Sequence, residues 1–237
     1  MTTPIHFDDY AQAYDAALNQ GLAATGEAKD YFARGRIQWL SRCLQQLSEQ
    51  PRLLMDYGCG DGSSSEFLLG MIRAGFLLGV DTSDKSLELA NRNYGGERSS
   101  FRPIAKYEPR EELDLVYCNG VFHHIPLVER ASATEYIWRS LRPGGIFSLW
   151  ENNPWNPGTG YVMSRIPFDR QAITLTPPEA ANLLQDGGFE VLRRDSLFYF
   201  PKQLRWLRWI EPHLSQLPLG GLYQALCRKS ENPSRIA

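Results

Sequence analysis

The chain has 237 residues, a length that suits one α/β domain with an extension and is short for two full domains. Its hydrophobic fraction of 43% and charged fraction of 22% are ordinary for a globular protein. The formal net charge of −2 provides no long-range field that would attract a polyanion, so nucleic acid is not expected as a partner.

The four cysteines are spaced too widely to form a C-x-x-C pair, so the sequence predicts no zinc cluster and no metal site. No apolar leader begins the sequence, and no stretch approaches the ~20 apolar residues that a membrane span needs. We therefore expect a cytoplasmic protein with reduced thiols. The cysteines are Cys43, Cys59, Cys118 and Cys227.

In chain order, residues 1–50 predict a helical cap with helices over 8–20 and 29–50, the second ended by Pro51. Short apolar runs then alternate with helical patterns. Strands are predicted over 52–56, 76–80, 100–105, 113–118 and 146–150, and helices over 64–74, 84–93 and 132–141. This rhythm indicates βαβ units and a mainly parallel, Rossmann-like sheet with helices on both faces. Ligands of such sheets bind beyond the carboxyl ends of the strands.

After Asn152 the alternation pauses in a segment rich in proline and glycine, an insertion at about 152–175 that is functional or hides an element. A helix is predicted over 176–186 and strands over 189–194 and 221–228. The predicted organisation is a cap at 1–50, a core at 51–230 and a tail at 231–237.

The glycine-rich loop after the first strand is the main indication of a ligand. An apolar run ending at Asp56 leads into Gly58, Gly60 and Gly62, and glycines allow a tight turn and close approach of a ligand. The dinucleotide fingerprint would need a glycine where Ser63 stands. The Asp56 carboxylate also disfavours a pyrophosphate beside it, whereas a cofactor with an ammonium and a sulfonium tolerates a carboxylate there. The alternative is a turn without a ligand.

Asp81 ends the next predicted strand, where a carboxylate can accept hydrogen bonds from both hydroxyls of a ribose. This position favours a nucleoside without deciding which one. The alternative for Asp81 is a cap of the following helix.

Four segments together resemble class I S-adenosylmethionine-dependent methyltransferases. Residues 56–62 are similar to the first motif of that family and residues 81–83 to its ribose-binding motif. Residues 118–126 resemble the segment after the fourth strand, and residues 141–145 resemble the turn into the fifth. The nearest members are small-molecule enzymes that include the ubiquinone-biosynthesis methyltransferases.

The resemblance implies the class I methyltransferase fold, S-adenosyl-L-methionine as the cofactor and methyl transfer to a small molecule. One departure is that residues 102–106 lack the acid that many members place after the third strand, so backbone groups of Ile104 and Ala105 are expected at the adenine. The expected cofactor contacts are Tyr14, Tyr31, Arg36, Asp56, Gly58, Cys59, Gly60, Gly62, Asp81, Thr82, Ser83, Ile104, Ala105, Asn119, Gly120 and Val121.

Three residues are candidates for the catalytic chemistry. His123 and His124 stand where the fourth strand meets the site, and a histidine there could deprotonate a hydroxyl or an acidic carbon. Glu151 ends the fifth strand beside Asn152 and could act with them or bind polar groups of the substrate. The alternatives are packing of the rings under the cofactor and hydrogen bonding within loops. Arg165, Asp169 and Arg170 in the insertion are further candidates for substrate contact.

Residues 204–210 place Arg205 and Arg208 on a narrow face of a predicted helix and fill the rest with apolar side chains. They predict a lid over an apolar substrate, a membrane-surface contact, or a helix packed on the core. The aromatic flanking segments favour a small apolar or aromatic acceptor, a class that includes lipid-linked molecules, and methylation of oxygen or carbon over nitrogen. The alternatives are a non-catalytic S-adenosylmethionine-binding module and an NAD-dependent oxidoreductase.

Overall fold

A computed structural model of the protein describes Asp8 and residues 14–230. Its centre is one seven-stranded sheet with the order β3-β2-β1-β4-β5-β7-β6. All neighbouring pairs are parallel except those of β7, which runs antiparallel to both β5 and β6. The strands are β1 (Leu53–Tyr57), β2 (Phe76–Asp81), β3 (Ser99–Pro103), β4 (Leu113–Asn119), β5 (Leu141–Asn152), β6 (Phe189–Leu197) and β7 (Leu222–Lys229).

Helices cover both faces of the sheet, because the central strands bury apolar side chains on both sides. In β1, Leu54 points into a core shared with the helices Lys29–Gln46 and Ser65–Phe67. Met55 and Tyr57 point into a core shared with the helices Arg130–Ser140 and Pro177–Asp186. The helices are α1 (Tyr14–Leu22), α2 (Lys29–Gln46), α3 (Ser65–Phe67), α4 (Asp84–Tyr94), α5 (Arg130–Ser140), α6 (Pro157–Arg165), α7 (Pro177–Asp186) and α8 (Glu211–Leu214). Both the Rossmann-like architecture and the mainly parallel sheet are confirmed.

The predicted helices 29–50 and 64–74 differ from the structure in their end point and in their helix type, respectively. The helix predicted over 29–50 ends at Gln46, because the chain turns through Ser48, whose φ of 58° is left-handed. The helix predicted over 64–74 is one α-helical turn followed by π-helical Leu68–Ile72, and Arg73 ends it with φ 61°. Most of the first half of the predicted helix 8–20, and the predicted tail 231–237, lie outside the described residues.

The segment after β5 contains helix α6, which the sequence analysis left open as a hidden element. Asn156 begins it by accepting hydrogen bonds from the backbone nitrogens of Gly158 and Thr159, and Pro157 stands at the first helical position. Residues 202–210 form 3-10 turns, with a break at Leu204, where the prediction was a helix.

The carboxyl ends of β1, β2, β4 and β5 meet at one edge of the sheet, as parallel pairing requires. Four segments close over this edge, and they come from distant parts of the described chain. They are α1, α2, α6 and the 3-10 turns (Lys202–Ile210). Within residues 14–230, no helix combines the length and the apolar character that crossing a bilayer would require.

Candidate functional site

The glycine loop follows β1 and is tied to β2. The backbone nitrogens of Gly58 and Cys59 both donate to the carbonyl of Val80, at 2.8 and 3.1 Å. Gly58 has φ 75°, and a Cβ atom there would stand 2.3 Å from Cγ2 of Val121, in the loop after β4. Only glycine fits this position, because the backbone is left-handed and the two loops touch.

Asp81 connects the glycine loop to the start of α4. Its carboxylate accepts hydrogen bonds from the backbone nitrogens of Gly60 at 2.8 Å and Ser83 at 2.9 Å. The helix cap is Ser83, whose hydroxyl accepts from the backbone nitrogen of Ser86, whereas Thr82 is exposed. Asp81 is therefore fixed at the loop by two backbone donors, and a carboxylate can accept further bonds.

Asp56 lies buried beneath the same loop. Burial raises the pKa of this carboxyl to about 7, and the charge of Asp81 adds to the shift while Arg36 opposes it. Arg36 is itself buried and donates from Nε to the hydroxyl of Tyr117 at 3.1 Å. The site thus holds a carboxylate whose ionised form is favoured by an added positive charge.

Ile104 and Ala105 form a 3-10 turn directly after β3, at the same edge of the sheet. Pro103 pairs with Asp81 in the strand register, so this turn stands beside the loop after β2. The carbonyl of Ile104 accepts from the hydroxyl of Tyr136 at 3.2 Å, and Ala105 is exposed.

Glu151 organises the loop after β4 from the end of β5. One oxygen accepts from the backbone nitrogens of Val121 and Phe122, at 3.1 and 2.8 Å, and the other lies 2.5 Å from Nδ1 of His123. Its side chain is completely enclosed. Glu151 therefore fixes the orientation of His123, and both of its oxygens are engaged within the protein.

Asp169 lies between the two histidines, and we call His123, His124 and Asp169 the His–Asp cluster. Oδ1 of Asp169 is 3.6 Å from Nε2 of His123 and 3.3 Å from Nε2 of His124. The insertion reaches this position partly because the backbone nitrogen of Ile173 donates to the carbonyl of His123 at 2.9 Å.

The two histidines of the cluster titrate in opposite directions. Burial lowers the pKa of His123, but the Glu151 and Asp169 carboxylates outweigh burial and raise it to about 10. Burial and the charge of His123 lower the pKa of His124, although Asp169 opposes this. At neutral pH His123 is therefore a cation between two carboxylates, and His124 is neutral.

A cavity of about 500 Å³ opens against this cluster. It borders Asn119 and Gly120 at the end of β4, both predicted cofactor contacts, and Arg36 and Tyr31 on the cap. The remaining wall is largely aromatic and aliphatic. It includes Leu18, Leu22, Phe32, Tyr161, Met163, Ile166, Phe168, Phe198, Tyr199, Phe200 and Leu222.

The structure places the predicted residues in two neighbouring groups. Asp56, Gly58, Cys59, Gly60, Gly62 and Asp81 with the residues after it form the loops at the ends of β1 and β2, whereas His123, His124 and Asn152 border the cavity. The side chain of Tyr14 lies outside the described residues. Of the three insertion candidates, Asp169 is buried in the cluster, whereas Arg165 and Arg170 are exposed.

Several site residues were missed by the sequence analysis. Lys29 reaches from α2 to Asp61 in the glycine loop at 3.3 Å and to Asp15 in α1 at 2.5 Å. Phe198 packs edge-on against Tyr31 and Phe32 with ring centroids 5.8 and 5.0 Å away. No local pattern marks these contacts, because each joins segments far apart in the chain.

Comparisons with known proteins find similarity to methyltransferases. Residues 55–149 match the family model described as a methyltransferase domain. The chain is 30% identical over 133 residues to a trans-aconitate 2-methyltransferase of Methylobacterium nodulans, covering 56% of this chain and 48% of the relative. The chain thus spans about half the length of that curated relative.

Two solved structures share the fold at low sequence identity. An S-adenosylmethionine-dependent methyltransferase from Mesorhizobium loti is 18% identical with a TM-score of 0.57, covering 83% of this chain and 99% of that one. The plantazolicin methyltransferase BamL, solved in complex with a triazolic desmethylPZN analog and SAH, is 14% identical with a TM-score of 0.60, covering 95% of this chain and 100% of that one.

Proposed function

Because residues 55–149 match a methyltransferase domain, we propose that the chain is a class I S-adenosylmethionine-dependent methyltransferase that transfers the methyl group to an oxygen or carbon of a small apolar or aromatic acceptor. The observation that carries the proposal is the cavity, whose aromatic wall joins the predicted cofactor contacts Asn119 and Gly120 to the His–Asp cluster. An acceptor in the cavity would lie between the donor and a set of proton-accepting side chains.

The charges around the cavity support an apolar acceptor. Lys29 is paired with Asp15 and Asp61, and Nη1 of Arg208 lies 2.9 Å from Glu27. Arg36, the third lysine or arginine side chain of the described wall, donates to Tyr117 and lies in the field of Asp56. A polycarboxylate such as the acceptor named for the curated relative would have to compete with these acids for each cation.

Methyl transfer from a sulfonium is a direct displacement, in which the donor is already activated. The protein has to align the acceptor atom with the methyl carbon and exclude water. An acceptor hydroxyl must also lose its proton. His124, the neutral imidazole of the His–Asp cluster, is the group at the cavity wall that would take this proton, with Asp169 beside it. Glu151 would keep His123 in position.

The decisive experiment measures transfer of a labelled methyl group from S-adenosylmethionine to a panel of acceptors. The panel contains apolar phenols and enols, amines, and trans-aconitate. We expect label on the phenols or enols, and its appearance only on amines or on trans-aconitate would contradict the proposed acceptor class. Cofactor binding without transfer to any member of the panel would favour the non-catalytic module.

A pair of variants on α6 tests whether the cavity holds the acceptor. Met163 lines the cavity, whereas Ser164 is exposed on the same helix. Met163→Trp fills the space and should abolish transfer while calorimetry still detects cofactor binding. Ser164→Trp adds the same side chain outside the cavity and should retain transfer.

We also propose a peripheral contact with an anionic membrane surface through the 3-10 turns (Lys202–Ile210). Trp206 and Trp209 are 67% and 74% exposed, and the exposed cations Lys202 and Arg205 stand beside them. Indole rings next to cationic side chains suit the interface of an anionic bilayer. Phe200, Pro201 and Arg208 link this surface to the cavity, so it would serve a lipid-like acceptor.

A further inference from the structure

Three donor atoms converge on one point of the cavity wall. One potential ligand atom from each of His123, His124 and Asp169 lies within 4.8 Å of the others. We propose that the His–Asp cluster binds a divalent transition-metal ion of the class that prefers imidazole ligands, such as zinc or ferrous iron. The expectation of no metal rested on cysteine spacing, which does not bear on histidine and carboxylate ligands from separate segments.

The distances suit coordination better than direct hydrogen bonding. The contacts from Oδ1 of Asp169 to the two imidazole Nε2 atoms are 3.3 and 3.6 Å. Protein N–H···O hydrogen bonds usually span about 2.7–3.2 Å. Ligands that each lie about 2.0–2.1 Å from a tetrahedral zinc ion are separated from one another by roughly 3.3–3.4 Å. The ligand atoms of the two histidines lie within 4.8 Å of each other, so a shift of the imidazole rings would place all three ligands around one ion.

Glu151 supplies a second, independent observation. Histidine ligands of metals commonly donate their other ring N–H to a carboxylate, which fixes the tautomer and strengthens the ligand. Nδ1 of His123 makes this contact with the enclosed Glu151 carboxylate at 2.5 Å, so Nε2 is directed towards Asp169. Binding of the ion would displace the proton that Nε2 carries at neutral pH. Two backbone donors hold Glu151 in turn.

The composition of the cluster indicates the kind of ion and what else can bind it. Two imidazoles with one carboxylate suit zinc or ferrous iron, whereas magnesium and calcium prefer oxygen ligands. Three protein ligands leave at least one position for water or an oxygen of the acceptor, because the cluster borders the cavity. Coordination of an acceptor oxygen by the ion rests on the proposed methyl transfer, whereas binding of the ion itself does not.

The test titrates the metal-stripped full chain with Zn²⁺ in a calorimeter, without cofactor or acceptor. We expect one Zn²⁺ per chain, and Co²⁺ should give the visible absorption of a low-symmetry site. His124→Ala and Asp169→Asn should each weaken Zn²⁺ binding by more than about 100-fold, and Glu151→Gln by about 10–100-fold. The matched control is His213→Ala, which removes an exposed histidine from α8 and should bind as the wild type does.

Circular dichroism and cofactor binding establish that each variant is folded. Wild-type protein that binds no Zn²⁺, or binding that Asp169→Asn leaves unchanged, would overturn the metal site. Binding of one Zn²⁺ per wild-type chain that is lost in these variants supports the metal site. This holds even where the acceptor panel shows no methyl transfer. The failure of one proposal is thus separable from the failure of the other.

Discussion

At the scale of single residues, the buried carboxyl of Asp56 links folding to cofactor binding. Its pKa of about 7 in the folded protein exceeds the roughly 3.9 of an unfolded aspartate. The folded protein therefore binds the proton more tightly than the unfolded chain does. The free energy of unfolding should fall as the pH rises from about 4 to about 7, and this contribution is constant above that range.

Replacing Asp56 with asparagine should reverse this effect in the cofactor-free protein. Asp56→Asn stays neutral at every pH, so we expect it to melt about 5–10 °C above the wild type at pH 8, for a gain on the order of 2–4 kcal/mol. The difference should narrow as the pH falls towards 4. S-adenosylmethionine should stabilise the wild type more than the variant, because its positive groups favour the ionised carboxylate. Differential scanning calorimetry with and without cofactor measures both effects, and a difference that does not change with pH would refute the linkage.

The conformation of the glycine-rich loop and the position of Asp81 could be predicted because their requirements are local. Gly58 must adopt positive φ, and Asp81 follows its strand directly, so the sequence shows both. The contacts of Glu151 with His123, and of Asp169 with both histidines, could not be predicted in this way. They depend on how β5 and the insertion pack against the loop after β4, which short patterns do not encode.

At the scale of elements, the 3-10 turns (Lys202–Ile210) are fastened to the cap through Arg208. This guanidinium pairs with Glu27, donates from Nε to the carbonyl of Phe200 at 3.1 Å, and stands 4.5 Å from the ring centre of Tyr31. A half-buried ion pair and a cation–π contact are together worth about 1–2 kcal/mol. Arg208 therefore helps to hold one wall of the cavity closed.

Arg208→Ala should loosen that wall without disturbing the cofactor loops. We expect the KM for the acceptor to rise about 10-fold, since 1.4 kcal/mol is a factor of ten, while the Kd for S-adenosylmethionine stays within about twofold. Hydrogen exchange over residues 198–210 should become faster. Arg205→Ala, an exposed arginine of the same segment, is the control and, in an assay without membranes and with a water-soluble acceptor, should change neither the KM nor the exchange.

The strands were easier to predict than the helices around the site. Buried runs such as Leu113–Asn119 are bounded by polar residues, whereas α6 contains Gly158 and Gly160, which lower helix propensity. The cap of Asn156 followed by Pro157 was a start pattern that could have located α6. The π-helical turn of Leu68–Ile72 has the same apolar spacing as an α-helix and could not be distinguished from it.

At the scale of the whole molecule, the segment 200–210 both lines the cavity, through Phe200, Pro201 and Arg208, and carries the exposed tryptophans. We expect the protein to sediment with vesicles that contain anionic lipid, less with zwitterionic vesicles, and less at high salt. The double variant Trp206→Ala with Trp209→Ala should weaken binding by more than about tenfold, because each buried indole contributes about 1.5–3 kcal/mol. Trp155→Ala removes a tryptophan that is 44% exposed on a different segment and serves as the control. Equal sedimentation of the double variant and the wild type would refute the contact.

The position of β7 also determines when the sheet can be completed during synthesis. β7 lies between β5 and β6, and β6 pairs only with β7 among the described strands. Until Leu222–Lys229 leaves the ribosome, β5 therefore exposes an unpaired edge and β6 has no partner in the sheet. The nascent chain must protect an open parallel sheet through the translation of its last described strand, so a ribosome stalled before residue 222 should present an aggregation-prone intermediate to chaperones.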